Sequence, residues 1–375
     1  MAHIEGYVAD KFEGVARVLS ESLDDGGDLG ASVAVIHHGE TVVDIWGGYT
    51  DEAKTEEWKS DTIVNVWSTT KTMTFLVALM LSDRGELDFH APVSRYWPEF
   101  AQGGKSSLEV RHVMGHTAGL SGWSAPITAT DLADWDLCTS ALAAQEPWWE
   151  PGSASGYHAV TQGFLIGEIV RRITGTTIGQ FFRSEVANVL DADFFIGLPE
   201  SEEGRVGLVI PPAPLDFSAL PTDSITFRTF SSPPLDATLP HQRWWRAAEI
   251  PAANGHGNAR SVALVQQIIA NKGEANGHRF FSAATGDQIF ESQANGPDLA
   301  LGEVIHFGMG YGLASSTVPL GARACYWGGY GGSVIIMDQD QELTVAYMMN
   351  KMRSSLSADA RGTNLALQAA IGAMG

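Results

Sequence analysis

The chain has little of what many proteins use for stiffening, anchoring or charge-driven binding. Its 375 residues include two cysteines, Cys138 and Cys325, too few for a disulfide framework. Basic residues are outnumbered: 23 Lys and Arg stand against 44 Asp and Glu, a net charge of −21. That balance argues against nucleic acid and anionic membrane as partners and suits a neutral or cationic small molecule. No apolar run reaches the length of a membrane span. The first residues, Met1-Ala2-His3-Ile4-Glu5-Gly6, lack the basic and apolar stretches of a secretion signal, so a cytoplasmic location is expected. There is no internal repeat and no low-complexity tract. Two reactive signatures are also missing. A Gly-x-Ser-x-Gly elbow does not occur; Gly152-Ser153-Ala154-Ser155-Gly156 misses the spacing. His112 and His116 lie four apart but have no adjacent Glu and no third ligand, so no metal site is expected. No cofactor is expected either.

What is present is a large core: 44% of residues are hydrophobic and 18% charged, in a chain long enough for two subdomains. One stretch organises the rest. Trp67-Ser68-Thr69-Thr70-Lys71 runs straight into an apolar segment that ends at Leu81. The run is too short to span a membrane and predicts a helix buried on nearly all faces. Asp83, Arg84 and Gly85 supply its polar end and left-handed cap. Residues three apart share a helix face, so Ser68 and Lys71 are expected side by side at its N-terminus. A serine hydroxyl needs a base to become a nucleophile. An amine in an apolar surround, near the positive end of a helix, is pushed toward its neutral form. The Ser68 backbone N–H is also placed to meet a developing oxyanion. A Ser-x-x-Lys step is a loose pattern, and two ordinary helix residues would match it too.

In chain order, residues 8–23 have helical apolar spacing. Two apolar runs, 31–36 and 41–46, read as a hairpin around His37-His38-Gly39-Glu40. Brief helices are expected at 110–114 and 131–145, the latter with Asp131 as a possible cap. Stronger ones follow at 159–173 and from Thr176 or Thr177 to about 190. Residues 210–241 hold seven prolines with interspersed aromatics. This predicts a long surface loop packed over a site rather than a linker. A helix follows Asn258-Ala259-Arg260-Ser261. Strands are expected at 307–313, 323–327, 333–337 and 343–349, then a helix at 358–371. Strands thus lie at both ends with helices between. The expected fold is α+β: an antiparallel sheet flanked by helices, built from residues 1–88 and 251–375, with a mainly helical domain, 89–250, inserted.

Three further places carry chemistry or turns. Gly156-Tyr157-His158-Ala159 puts a tyrosine just before a helix, where a phenol near an amine can shuttle protons. Trp327-Gly328-Gly329-Tyr330-Gly331-Gly332 ends a strand in glycines that allow close backbone approach. Met114-Gly115-His116-Thr117-Ala118-Gly119-Leu120 reads as structural.

Taken together, and in this order, these segments resemble the serine β-lactamase and penicillin-binding-protein superfamily, most closely its class C β-lactamase-like carboxylesterases, the family VIII type. The resemblance runs along nearly the whole chain and includes Pro151-Gly152 ahead of Tyr157. It implies Ser68 as acylated nucleophile, Lys71 as its proton partner and Tyr157 as general base and acid. It also implies an oxyanion hole from the Ser68 and Tyr330 N–H groups. Trp327, Gly328 and Gly329 would be substrate-binding, and His256 would line the pocket. Two positions depart from the family motifs: Ala159 stands for an asparagine and Trp327 for a lysine. An apolar rim without an amide or a cation favours small neutral esters over β-lactams. Trp148, Trp149 and Trp245 are candidate walls or core. A β-lactamase or peptidase-like amide hydrolase, an acyltransferase, and a silent acyl-binding sensor remain alternatives on the same scaffold. The oligomeric state is left open.

Overall fold

The computed structural model describes residues 2–354 and 359–375. Three strands come first, β1 (Ile4–Val8), β2 (Gly30–His37) and β3 (Glu40–Gly48). Three short ones, β4 (Ile63–Asn65), β5 (Val206–Gly207) and β6 (His256–Gly257), pair in the order β5-β4-β6. A two-stranded ribbon, β7 (Glu274–Ala275) and β8 (His278–Arg279), precedes β9 (Ala294–Pro297), β10 (Val304–Phe307), β11 (Gly312–Leu313), β12 (Ala324–Gly328), β13 (Val334–Asp338) and β14 (Leu343–Met349). The main sheet has nine strands in the order β1-β3-β2-β14-β13-β12-β11-β10-β9, and every neighbour is antiparallel. The two ends of the chain meet at its centre, where β2 pairs with β14 from Ala31↔Met349 to His37↔Leu343.

Burial explains how these strands read in the sequence. All of β14 is buried, and all of β2 except His37, so both appear as unbroken apolar runs. Helix Ala259–Ala270 covers one face, where the Ala259 N–H bonds Ser32 Oγ at 3.1 Å. Helices Glu13–Asp24 and Ala360–Met374 cover the other. There Gly362 lies where a Cβ would touch Val334 and the Tyr347 ring. Toward the edge, β3 alternates between buried and more exposed positions.

Helix Lys71–Asp83 is buried from Lys71 through Leu81 and joins the sheet to the helical region. It packs on helices Thr161–Thr174, Ile178–Phe182 and Ala283–Gln288. One hydrophobic cluster runs continuously through both regions. Among the described helices, none is long and apolar enough to cross a membrane.

Several local expectations shift. Of the helix expected from residue 8, Val8 is the last residue of strand β1, paired with β3, a 3-10 turn covers Asp10–Phe12, and the helix itself starts at Glu13. The edge of a sheet accepts a half-apolar segment that helical spacing alone mimics. Asp134, not Asp131, caps helix Trp135–Ala144 by accepting from the Leu137 N–H at 3.0 Å. The strand expected at 307–313 breaks into β10 and β11 around Gly310, whose φ is +93°. The last helix begins at Ala360, and residue 358 lies outside the described residues. The proline-rich segment contains a helix, Ile225–Ser231, and is tied down at its start and within that helix. Ile210 bridges to Asn350 and Met352, and Thr229 meets Ser121 at 2.7 Å.

Candidate active site

Ser68 lies in a 3-10 turn, Trp67–Thr70, that leads into helix Lys71–Asp83, rather than in that helix's own first turn. Three residues per turn make i and i+3 eclipse, so Lys71 Nζ reaches Ser68 Oγ at 3.2 Å. The turn is pinned from several directions. Thr70 Oγ1 donates to the Trp67 carbonyl and accepts the Gly255 N–H at 2.8 Å. Thr69 Oγ1 meets Ser333 Oγ at 3.0 Å, and Ser333 donates to the Val66 carbonyl at 2.9 Å. Trp67 itself has φ +48°, an uncommon conformation for a bulky residue. Its ring is held by Trp245 at 5.7 Å and Tyr330 at 5.5 Å, the over-determination that such strain needs.

Lys71 is completely enclosed. Nζ donates to the carbonyls of Ala159 at 2.7 Å and Ala252 at 3.0 Å. Burial holds its pKa well below that of a free lysine. Burial thus shifts the balance toward the neutral amine; in that form two hydrogens serve the two carbonyls and one lone pair is available toward Ser68.

Tyr157 closes the triangle, its phenol donating to Ser68 Oγ at 2.7 Å. Its ring also lies under Lys71 Nζ, 4.9 Å from the centroid. Burial raises the phenol pKa, which favours the protonated form; Ser68 and the neighbouring Trp327 indole pull the other way. The residues on both sides of Tyr157 are fastened to His116. Gly156 N–H donates to the His116 carbonyl at 3.0 Å, and His158 N–H to His116 Nδ1 at 3.0 Å.

An aromatic wall stands around this triangle. Trp327, at the end of β12, stacks on His116 at 5.5 Å and 15°, and lies 5.5 Å from Phe307 and 6.2 Å from Tyr157. Burial drives the pKa of His116 far down and that of His158 to about 3, so both rings are neutral. Beyond Trp327 the chain turns through Gly328 and Gly329. A Cβ on Gly329 would overlap Ser333 Oγ and the Val66 carbonyl, so only glycine lets β12 close on the serine turn. Among the described residues, neither the Ser68 nor the Tyr330 backbone N–H is taken by a protein acceptor.

Of the residues singled out from sequence, Ser68, Lys71, Tyr157, Trp327, Gly328, Gly329 and Tyr330 thus come together. His256 does not join them through any bond or ring contact. It is enclosed in β6, its Nδ1 held by the Asn254 carbonyl at 2.8 Å, with a pKa lowered by burial to about 3. Trp245 is core, bonding Asn65 Oδ1 at 3.0 Å beneath Trp67. Trp148 carries the Arg228 guanidinium at 3.8 Å, and Trp149 lies edge-on to His158 at 5.9 Å. His112 and His116 each spend Nδ1 on a backbone N–H. The His116 segment, read as structural from sequence, turns out to form one side of the cluster. The signal was the chain's His-Thr-Ala-Gly-Leu run, whose glycine marks a turn but says nothing of its neighbours.

Comparison with known proteins shows the family and the fold. The beta-lactamase family model matches residues 15–370. Esterase/beta-lactamase LipL of Mycobacterium tuberculosis (strain ATCC 25618 / H37Rv) is 36% identical over 87% of this chain and 78% of its own. The crystal structure of a family VIII carboxylesterase superposes with a TM-score of 0.94 at 36% identity, over 99% of this chain and 100% of that one. A penicillin-binding protein homologue from Caulobacter crescentus superposes with a TM-score of 0.91 at 35% identity, over 99% of this chain and 100% of that one.

Proposed function

The chain belongs to the beta-lactamase family, and from that premise we propose that it is a serine carboxylesterase acting on small neutral esters through an acyl-enzyme on Ser68. The observation that carries this reading is the arrangement of Lys71 Nζ, 3.2 Å from Ser68 Oγ, with its other two bonds spent on backbone carbonyls, and the Tyr157 phenol at 2.7 Å.

In this reading the Lys71 lone pair takes the Ser68 proton as Oγ attacks the ester carbonyl. The oxyanion is met by the Ser68 and Tyr330 N–H groups. As the C–O bond to the alcohol breaks, Tyr157 gives its phenolic proton to the departing alkoxide. The proton on Lys71 then returns to the phenolate, leaving an ester between Ser68 and the acyl group. Water attacks that ester as Lys71 again accepts a proton, and the proton passes back to Ser68 Oγ as the acid departs. The base role falls to Lys71 rather than Tyr157 because burial pulls the amine and the phenol in opposite directions.

Substrate class follows from what surrounds the triangle. Ala159 offers only its carbonyl, already engaged by Lys71, and Trp327 carries no charge. An ester needs neither an amide partner nor a cation. A hydrogen bond to a charged partner contributes about 1.5–3 kcal/mol. With the neutral amide partner contributing about 0.5–1.5 kcal/mol, the two absences together amount to roughly one and a half to three orders of magnitude in kcat/KM. We expect p-nitrophenyl butyrate to be hydrolysed at least about thirtyfold more efficiently than nitrocefin, and a fluorophosphonate to label Ser68. Equal efficiency on both substrates would overturn the substrate class. Labelling elsewhere, with Ser68→Ala fully active, would overturn the mechanism.

A further inference from the structure

Asp298 lies immediately after edge strand β9, far in sequence from every residue of the triangle, and is 2% exposed. Its carboxylate faces only donors. Oδ1 accepts the N–H groups of Tyr157 at 3.0 Å, Ala300 at 2.9 Å and Leu301 at 2.9 Å. Oδ2 accepts the Ser155 hydroxyl at 2.6 Å. The two segments are stitched further by a parallel bridge between Ser155 and Asp298 and by the Leu299 N–H on the Ser155 carbonyl at 2.8 Å. A buried carboxylate costs several kcal/mol unless its lone pairs are satisfied, and here both oxygens are. Two of these bonds, from Ala300 and Leu301, fold the turn that follows Asp298. The other two reach across to a remote segment, to the Ser155 hydroxyl and the amide of Tyr157.

With His116 holding the amides on either side of it, every N–H from Gly156 to His158 is fixed by a side chain or carbonyl outside that segment. The phenol then has two side-chain torsions left, and its ring is confined by His116 and Trp327. We infer that Asp298 is a positioning residue for Tyr157: it sets the tyrosine's backbone so that the phenol stands at Ser68 Oγ. The inference rests on the reading of Ser68, Lys71 and Tyr157 given above. The Asp298 charge also contributes to the raised pKa of the phenol, after burial, so the same carboxylate helps to hold the proton that Tyr157 delivers.

A residue that acts only through Tyr157 has a distinctive kinetic signature. Its removal lowers kcat while Tyr157 is a tyrosine and costs nothing more once the phenol is gone. Misplacing a reacting group by about 1 Å costs on the order of a hundredfold. Asp298→Asn keeps the shape, but its amide puts an N–H where a donor already points. We expect it to lower kcat on p-nitrophenyl butyrate by about ten- to a hundredfold, with KM within about twofold. In the Tyr157→Phe background the same substitution should leave kcat unchanged within about twofold. Ser155→Ala removes only the partner of Oδ2 and serves as the milder variant should Asp298→Asn not fold; its smaller loss should vanish in the same background. Equal proportional losses with and without the phenol, or no loss with it, would overturn the inference and leave the triangle standing. A Tyr157→Phe enzyme as fast as the parent would overturn both.

Discussion

Two lysines in this molecule are fully enclosed, and they differ in one bond. Lys105, in the helical region, donates to three backbone carbonyls, those of Gln102 at 2.8 Å, Ala143 at 3.0 Å and Gln145. Lys71, at the serine turn, donates to two and has Ser68 Oγ as its third neighbour. An ammonium has three hydrogens, so Lys105 is a complete clip between loops. Lys71 is a clip with one position left for chemistry. Burial lowers both pKa values, that of Lys105 to about 8 against the opposing influence of Glu146, that of Lys71 well below the usual lysine value with no such opposition. A buried lysine is therefore not a catalytic signal by itself. What separates base from staple is whether carbonyls satisfy every hydrogen of the ammonium.

The largest expected effect breaks the pair apart by kinetics. Lys71→Ala should lower kcat/KM on p-nitrophenyl butyrate by about three to five orders of magnitude, as loss of an activating base does. Lys105→Met should leave kcat/KM within about threefold. Comparable losses in both variants would erase the distinction.

Stability should show the reverse order. Removing Lys105 strips three carbonyls of their donor, and a buried orphan costs about 1–3 kcal/mol each. Lys105→Met should therefore lose at least about 2 kcal/mol in urea unfolding. A Lys105→Met protein as stable as the parent would mean that water replaces the ammonium.

The pH profile sharpens the contrast most finely. In the proposed mechanism the free amine of Lys71 is the reactive form, so kcat/KM should rise with pH through its lowered pKa and level off above it. The acid limb should lie well below the range of an ordinary lysine. Lys105→Met should leave that limb within about 0.3 pH units. A limb that moves with Lys105 would assign the titration to the wrong lysine.

Legibility in the sequence followed the range of the forces involved. The Ser68–Lys71 step, the buried helix after it and the β2–β3 hairpin could all be read from neighbours in the chain, because their patterns are local. The central strands were visible as apolar runs because both their faces are covered. Strand β1 was not, since an edge strand with three exposed residues leaves no clean period. His256 was expected to line the pocket only because the family resemblance set it there, and it packs inside the small sheet. His116 and Asp298 gave the opposite lesson. Asp298 has no signature of its own and the His116 run announces only a turn, yet each meets amides 40 or more positions away.

By itself, the sequence determined the chemistry available: a serine one turn from a lysine, a tyrosine after a glycine loop, and a strand end that closes in glycines. These follow from residue identity and short spacing; that Trp327 stands in the place of a lysine came only from the family resemblance. Tertiary structure alone decided which lysine carries a free lone pair, which amides are left for an oxyanion and which carboxylate holds the tyrosine in place. Those outcomes depend on carbonyls and donors brought in from remote segments. Burial makes each such partner count, because no water is there to substitute for one that is missing.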